Sequence, residues 1–243
     1  RVSARDRTPA IAYLGTVDFV KMHPGFFDAV DRLVGDDIRV SVWGAVDPSG
    51  SVAARARAMR HPRRVEFRGE TAEPAAALSD ADIFFYPLQP DHYGTAENAL
   101  IEAMSLGLVP VVLNNAAEKA IIRDGETGFI ARSIEETAAL LQMLFSSPGM
   151  RERVSRNAVE QIAETRAPVQ SVRDFMIVWL GMLSKSPRHC EFRAAIGNSP
   201  ADWFVATQCL PGAKWKSPSW KGAQQPTKGT LALQGWAIVE NPT

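Results

Sequence analysis

A polar segment that follows an apolar run contains residues that could bind an anion. The apolar run ends at Tyr86, and a polar loop leads from it to Gly94, where the backbone can turn. Thr95 follows as a candidate N-cap of a helix over residues 95–106. The amides of residues 95–98 would point out of the start of this helix. Together with the helix dipole, they would form a site for an anion such as a diphosphate.

The same helix carries a carboxylate on a polar stripe. At about 100° per residue, the helix has a polar stripe and an apolar side. The stripe consists of Thr95, Asn98, Glu102 and Ser105, and the apolar side includes Ala96, Leu100, Ala103 and Met104. Because its charged residues are Glu97 and Glu102 alone, we expect the helix to be buried. The Glu102 carboxylate could then accept hydrogen bonds from vicinal sugar hydroxyls. Alternatively, backbone amides or solvent satisfy it.

Strand-like and helix-like segments alternate along residues 10–165 and would position this loop. The predicted strands are 11–14, 38–43, 65–67, 83–86, 109–113 and 128–131. The predicted helices are 26–33, 51–60, 74–78, 95–106, 118–123, 134–145 and 150–164. Short strands that are apolar throughout are typical of a parallel sheet covered on both faces. We therefore predict a doubly wound, Rossmann-like α/β domain, which would bind ligands at the carboxyl ends of its strands.

Composition excludes several other classes of protein. The chain has 243 residues, with 27 basic and 27 acidic side chains. It therefore lacks the overall excess of positive charge that is typical of nucleic-acid-binding proteins. The longest apolar run, 175–183, is shorter than the roughly 20 residues of a membrane span. Cys190 and Cys209 form no disulfide framework, and no signal peptide is visible, so we expect a reducing, cytoplasmic location. The chain starts at Arg1 rather than Met, and we expect it to be a fragment of a longer protein.

Several motifs that carry chemistry are missing from the sequence. No GxGxxG follows the first predicted strand, and there is no P-loop, GxSxG or HExxH. The four histidines have no metal-ligand spacing, so we predict neither a metal site nor a bound cofactor.

In their order, the segments of residues 10–165 resemble the C-terminal, nucleotide-sugar-binding domain of group 1, retaining glycosyltransferases of the GT-B type. That family has a strand ending in Pro, a Gly turn, a Glu-Ala-Met helix, a Pro-Val-Val strand, a Glu and Asp-Gly-x-Thr-Gly. The matching pieces here are Tyr86-Pro87, Gly94, Glu102-Ala103-Met104, Gly107, Pro110-Val111-Val112, Glu118 and Asp124-Gly125-Glu126-Thr127-Gly128. The resemblance implies one half of a GT-B fold and a role in carbohydrate biosynthesis.

The resemblance also implies which residues bind the donor. Glu102 matches the glutamate that holds the ribose, and Lys21 matches a lysine that neutralises the diphosphate. Arg68 lies where the base stacks. The alternatives are a solvated loop lysine for Lys21 and a surface charge for Arg68. The full set of predicted donor-binding residues is Gly15, Thr16, Lys21, Arg68, Tyr93, Gly94, Thr95, Ala96, Asn98 and Glu102.

The sequence departs from the family pattern at the donor sugar. The family's first glutamate would stand at Gly94, eight positions before Glu102, so Asp91 or Glu97 is its candidate substitute. Glu118 remains and could face the donor sugar or the acceptor; alternatively, it is a first-turn helix acid. We predict Asp91, Glu97 and Glu118 as the catalytic group.

Two further departures concern neighbouring loops. Thr16 stands in place of the family's arginine, and Asn115-Ala116-Ala117 stands in place of a Gly-Gly loop. These departures leave the donor's identity open.

The predicted function is transfer of a sugar from a nucleotide diphosphate to an acceptor hydroxyl, with retention. The acceptor site would lie in a missing N-terminal GT-B domain, so we expect the fragment alone to bind the donor and transfer little. The alternatives are a non-catalytic nucleotide-binding or scaffold module, a GT-B-type sugar-nucleotide epimerase, and a flavodoxin-like or response-regulator domain. The ordered motifs from Glu102-Ala103-Met104 to Thr127-Gly128 disfavour a flavodoxin-like or response-regulator domain.

The C-terminal part is predicted to be separate from this domain. We predict a Rossmann-like domain over 1–166 with a linker at 1–9, a helix over 167–186, and a Trp-, Lys- and Pro-rich extension over 187–243, partly helical or irregular. An exposed apolar stripe on the helix would favour self-association. We favour an extension that wraps the domain or docks against the missing half. Alternatively, the extension contacts a membrane surface, a partner or a glycan.

Overall fold

Six strands and eight α-helices form the part of the chain that the structure describes, residues 8–35, 37–90, 92 and 97–186 of a computed structural model. The strands are β1 (Ile11–Leu14), β2 (Val40–Trp43), β3 (Val65–Gly69), β4 (Ile83–Tyr86), β5 (Val109–Leu113) and β6 (Phe129–Ala131). The helices are α1 (Phe26–Asp31), α2 (Ser51–Arg57), α3 (Pro74–Leu78), α4 (Asn98–Ser105), α5 (Ala116–Lys119), α6 (Ile134–Ser146), α7 (Pro148–Thr165) and α8 (Pro168–Leu183).

The strands form one parallel sheet in the order β3-β2-β1-β4-β5-β6. Helices α1 and α6 pack together on one face, and α3, α4 and α7 pack on the other. This is the doubly wound, Rossmann-like arrangement that the sequence predicts. From β1 the chain proceeds outward to β3, and it then returns to β4 beside β1. The two neighbours β1 and β4 therefore flank the topological switch point, where such sheets bind ligands.

Every predicted strand is present, but some boundaries differ. The central strands β4 and β5 are buried along their whole length, as predicted. Strand β2 is buried on one face and partly buried on the other, and β3 is partly buried on one face and exposed on the other. The reason is that β3 forms an edge of the sheet and β2 lies next to it. Strand β3 also extends to Gly69, so Arg68 lies within the strand rather than after it. Helix α4 begins at Asn98 rather than at residue 95.

Aromatic side chains form the core beneath the switch point. The rings of Phe26 and Phe85 stack with centroids 4.9 Å apart, and those of Phe84 and Tyr86 stack at 5.0 Å. Tyr13, at the end of β1, lies 5.5 Å from Tyr86. Aromatic pairs of this kind add to the free energy gained from burial. The carboxyl ends of β1 and β4 are thus a rigid base for the loops that follow them.

Two glycines let the loops after β1 and β2 pass each other closely. Gly44 has φ 144°, and a Cβ atom on it would lie 2.0 Å from the carbonyl oxygen of Gly15. The Gly44 amide donates to the Gly69 carbonyl at 2.8 Å, and the Gly15 amide donates to the Trp43 carbonyl at 3.0 Å. A side chain at Gly44 would therefore displace the loop that begins at Gly15.

Arg64 is buried and holds the segment that follows α1. Its guanidinium donates to the carbonyls of Val30, Leu33 and Gly35 at 3.2, 2.9 and 2.8 Å. We expect Arg64→Met to destabilise the protein by about 2 kcal/mol, because three carbonyls lose a charged donor. Thermal unfolding measures this as a fall in Tm of about 4–8 °C. The exposed neighbour Arg63 provides the control, and an equal fall in Arg63→Met would contradict the prediction.

The chain divides into two compact units, residues 1–177 and 178–243. Helix α8 belongs partly to each unit, and its apolar side chains are exposed, including Ile177 at 64% and Leu183 at 80%. Of the described helices, none has the length and apolarity needed to span a membrane. The extension over 187–243 lies outside the described residues, so its predicted roles stay predictions.

Candidate functional site

The loops after β1 and β4 are joined by backbone hydrogen bonds at the switch point. The amide of His23 donates to the Pro87 carbonyl at 2.9 Å, and the amide of Gln89 donates to the Lys21 carbonyl at 2.8 Å. The Gln89 side chain also donates to the Phe19 carbonyl at 3.2 Å. These bonds fix the backbone of Lys21 against the segment that leads to the polar loop. The two loops are thus held together at the carboxyl ends of β1 and β4.

Lys21 directs its ammonium group toward Glu97 and the Tyr86 ring. Its side chain is 15% exposed, its Nζ lies 4.0 Å from Oε2 of Glu97, and Nζ lies 5.6 Å from the centre of the Tyr86 ring. The ring face favours a cation at that distance. Lys21 is therefore a positioned, partly buried positive charge, as the prediction of a diphosphate-binding lysine requires.

Glu97 immediately precedes α4 and has an unusual backbone conformation. Its φ and ψ are both 43°, in the left-handed region, which costs a side-chain-bearing residue about 1–2 kcal/mol. Its side chain is 0% exposed, and among the described residues neither carboxylate oxygen has a partner with full hydrogen-bond geometry, although the Tyr86 hydroxyl is near enough for Glu97 to raise the pKa of that hydroxyl. A buried carboxylate without hydrogen bonds is unfavourable. The arrangement therefore leaves two acceptor oxygens for hydroxyl donors of a ligand.

A second buried carboxylate, Glu118, lies on the other side of His92. The Nε2 atom of His92 is 3.8 Å from Oε1 of Glu97 and 3.8 Å from Oε1 of Glu118. Asn115 donates to Glu118 Oε1 at 3.1 Å and to the Leu88 carbonyl at 3.2 Å. The structure thus brings two predicted catalytic residues together. His92 was not predicted, because an isolated histidine in a polar loop carries no signal in the sequence.

Burial changes the protonation of this cluster. It raises the pKa of Glu118 above the ordinary value; the hydrogen bond from Asn115 opposes this increase, and the charge of Glu97 adds to it. Burial, together with the neighbouring charge of Glu97, also raises the pKa of the Tyr86 hydroxyl. Glu118 is therefore easier to protonate than an exposed glutamate, whereas Tyr86 keeps its proton.

The raised pKa of Glu118 has a consequence for stability. The folded state holds the proton of Glu118 more tightly than the unfolded state does. The contribution of this group to stability is therefore greatest below the ordinary carboxyl pKa of about 4.3, and it falls as the pH rises through the folded pKa. We expect Glu118→Gln to remove this fall and to raise Tm near neutral pH by about 3 °C relative to wild type.

Thermal unfolding of the Glu118→Gln variant and the wild type, at mildly acidic and neutral pH, measures this difference. The exposed Glu160 on α7 gives the matched control, Glu160→Gln. If the wild type and Glu118→Gln lost stability in parallel as the pH rose, Glu118 would not be the group responsible.

The polar stripe of α4 is exposed, contrary to the expectation of a buried helix. Asn98, Glu102 and Ser105 face solvent, whereas Leu100, Ala103 and Met104 are buried. The helix packs against the sheet and α7 on its apolar side only, so Glu102 requires no buried partner. The prediction of Thr95 as N-cap is wrong, because α4 begins at Asn98 and Glu97 is the residue before it.

The remaining predicted donor-binding residues lie at different distances from this cluster. Gly15 follows β1. The next residue, Thr16, is exposed, and its backbone carbonyl accepts a hydrogen bond from the Tyr13 hydroxyl at 2.8 Å. Arg68 lies on the edge strand β3, 45% exposed, with Nη2 2.8 Å from Oε2 of Glu66. Two strands separate it from β4, so the structure does not bring it into contact with Lys21.

Five predicted residues lie outside the described residues, namely Asp91, Tyr93, Gly94, Thr95 and Ala96. Among the described residues, no group of three His, Cys, Asp or Glu side chains could hold a metal ion.

A cleft of about 510 Å³ adjoins the cluster on the side of β5 and β6. It is lined by His23, Pro90, Leu113, Asn114, Asn115, Arg132, Ser133, Ile134 and Glu135. Asn115 lines this cleft and also donates a hydrogen bond to Glu118, so one residue borders both the cleft and the carboxylate cluster. Its polar lining suits a hydroxylated ligand.

Solved structures share this fold at low sequence identity. A mutant of TarM from S. aureus, in complex with fondaparinux, alpha-GlcNAc-glycerol and UDP, is 16% identical, with a TM-score of 0.62 over 76% of this chain and 37% of that one. HepE from Anabaena, in complex with UDP-glucose, is 15% identical, with a TM-score of 0.62 over 72% and 49%. The C-terminal domain of LpcC, a glycosyl transferase group 1 family protein from Francisella tularensis, is 18% identical, with a TM-score of 0.57 over 66% and 87%.

These similarities show the fold, and they confirm its Rossmann-like architecture as that of a GT-B half. The chain spans 37% of the TarM structure and 49% of the HepE structure, so it corresponds to part of such proteins. A comparison with curated protein sequences gave no match.

The family is shown by the sequence match. Residues 8–147, more than half of the chain, match the family model described as glycosyl transferases group 1. The matched range includes β1 to β6, Lys21, Glu97 and Glu118. The resemblance inferred from the ordered motifs is confirmed. The chain belongs to the group 1 glycosyl transferase family.

Proposed function

We propose that this chain is the donor-binding half of a glycosyltransferase and binds a nucleotide-diphosphate sugar at the β1–β4 switch point. The observation that carries the proposal is the buried Glu97 carboxylate. It has no hydrogen-bond partner among the described residues and lies 4.0 Å from Lys21. An ammonium group beside free acceptor oxygens suits a ligand that has both phosphate and hydroxyl groups.

Each group has a defined role in this proposal. Lys21 and the amides at the start of α4 bind the diphosphate and stabilise its charge as it leaves. Glu97 and Glu118 accept hydrogen bonds from hydroxyls of the donor sugar. Asn98 and Glu102, on the exposed stripe of α4, bind the ribose. The sugar is then transferred to an acceptor hydroxyl with retention of the anomeric configuration.

Transfer requires a second domain in this proposal. The chain spans less than half of the TarM and HepE structures, so a further domain of comparable size would complete such a protein. An N-terminal domain would bring the acceptor to the switch point. The isolated chain therefore binds the donor but transfers little, and equal transferase activity in this chain and in a longer protein that contains it would contradict this.

Calorimetric titration of the full 243-residue chain tests donor binding. The ligands are UDP, GDP, ADP and their glucose or mannose conjugates. We propose saturable binding of one nucleotide, weakened about tenfold in Glu102→Ala through loss of ribose hydrogen bonds. Glu126→Ala, which also removes an exposed glutamate, is the matched control. If a folded chain bound none of these ligands, donor binding by this half would be ruled out.

A non-catalytic nucleotide-binding module is the second candidate. The exposed Thr16, which stands in place of the family's arginine, favours it because one cation near the diphosphate is missing. Donor binding by the chain, with no transfer by a longer protein that contains both halves, would select this candidate.

A further inference from the structure

We infer that His92 is a positioning residue of the donor site, which holds the carboxylates of Glu97 and Glu118 in place through its Nε2 atom. This inference rests on the proposed function. The geometry behind it is the equal separation of 3.8 Å from Nε2 to one oxygen of each carboxylate. The His92 side chain is 4% exposed and both carboxylates are 0% exposed, so water does not screen these interactions strongly.

Within the described part of the chain, charged and titratable groups face this cluster from four elements. Lys21 enters from the loop after β1, Glu97 from the start of α4, and Glu118 from α5. Tyr86 enters from β4, with its ring beside the Lys21 ammonium group. Two carboxylates therefore oppose one ammonium group. The Nε2 atom of His92 lies 3.8 Å from an oxygen of each carboxylate, so this one polar group contacts both of them.

The side chains of Glu97 and Glu118 differ in the hydrogen bonds that hold their carboxylates. Asn115 fixes one oxygen of Glu118, while the second oxygen has no partner within the described part of the chain. Glu97 has no such donor on either oxygen among these residues. Like-charged carboxylates repel each other, and the pKa of Glu118 is raised partly for this reason. The His92 ring lies between them and opposes this repulsion.

The consequence concerns the sugar rather than the nucleotide. Both carboxylates accept hydrogen bonds from sugar hydroxyls in the proposed function, whereas the diphosphate is bound by Lys21 and α4. Loss of His92 should therefore reduce the additional affinity that the sugar contributes and leave binding of the nucleoside diphosphate nearly unchanged.

The binding experiment compares the full chain with two variants, His92→Gln and His61→Gln. His61 is exposed and pairs with Asp31, so it is the matched control. Each protein is titrated with UDP-glucose, GDP-mannose, ADP-glucose and the corresponding nucleoside diphosphates. We expect the wild type and His61→Gln to bind one sugar conjugate more tightly than its nucleoside diphosphate. In His92→Gln this advantage falls about tenfold.

A ligand-free measurement on the wild type gives a second readout. Nuclear Overhauser effects should connect the His92 ring protons with the γ protons of both Glu97 and Glu118, because Nε2 lies 3.8 Å from an oxygen of each carboxylate. The absence of either connection would overturn the inference, and this readout does not depend on a variant being folded.

The calorimetric outcomes separate the two proposals. An unchanged advantage of the sugar conjugate in His92→Gln would overturn the role of His92 and leave donor binding intact. A folded wild type that bound no nucleotide would overturn the proposed function and, with it, a donor role for His92.

Discussion

Lys21→Met is expected to weaken binding of a nucleoside diphosphate about 100-fold, which is roughly 2.7 kcal/mol. The Lys21 ammonium is the one cation whose contacts place it at the switch point among the described residues, 4.0 Å from Glu97 and beside the Tyr86 ring. Its backbone is held by the Gln89 amide, so the substitution removes the charge without releasing the loop. Calorimetric titration with the nucleoside diphosphate that the wild type binds measures the loss.

Lys119→Met is the matched control for this substitution. Lys119 is an exposed lysine at the end of α5, close in sequence to Glu118 but with its side chain in solvent. A nonspecific charge effect would weaken binding by similar amounts in both variants, and that result would contradict a positioned diphosphate site at Lys21. The expected result is near-wild-type affinity in Lys119→Met.

Glu97→Gln is expected to weaken binding of the sugar conjugate without weakening binding of the nucleoside diphosphate. A glutamine keeps the shape of the side chain but loses the negative charge, so hydrogen bonds from sugar hydroxyls become weaker. We expect affinity for the sugar conjugate to fall about 30-fold. Affinity for the nucleoside diphosphate should stay the same or increase, because a negative charge 4.0 Å from Lys21 is removed.

The opposite responses of the two ligands are the informative part of this experiment. Lys21→Met should weaken binding of both the nucleoside diphosphate and its sugar conjugate, whereas Glu97→Gln should weaken binding of the sugar conjugate alone. Glu126→Gln, on an exposed turn, controls for the loss of a carboxylate elsewhere. Equal weakening of nucleoside diphosphate and sugar conjugate in Glu97→Gln would show that Glu97 does not contact the sugar.

The elements of the fold could be predicted because local patterns determine them. Ile83–Tyr86 and Val109–Leu113 are apolar throughout, and both form strands that are buried on each face. The edge position of β3 was not predictable in this way. The strand order is fixed by packing between distant segments. The exposure of the Arg68 and Glu66 side chains follows from that order, because it places β3 at the edge of the sheet.

The candidate site was predicted in part. The ordered motifs indicated Lys21, Glu97 and Glu118, and the structure places these residues in one cluster with His92. The expectation that Glu102 is buried was wrong, because a helix with few charges can still expose one face. The left-handed backbone of Glu97 and the position of His92 between two carboxylates depend on tertiary contacts, and no local pattern encodes them.

Amide NMR of the full chain during titration with the sugar nucleotide that it binds tests the location of the donor site most directly. The account predicts that the amide signals of Gly15, Lys21, Glu97 and Asn98 shift, because these residues border the β1–β4 switch point. A cavity of about 500 Å³ elsewhere, lined by Lys119, Arg123, Gln161 and Arg166 among others, offers a contrasting location. Shifts confined to that cavity, with no change at Lys21 and Glu97, would contradict a donor site at the switch point.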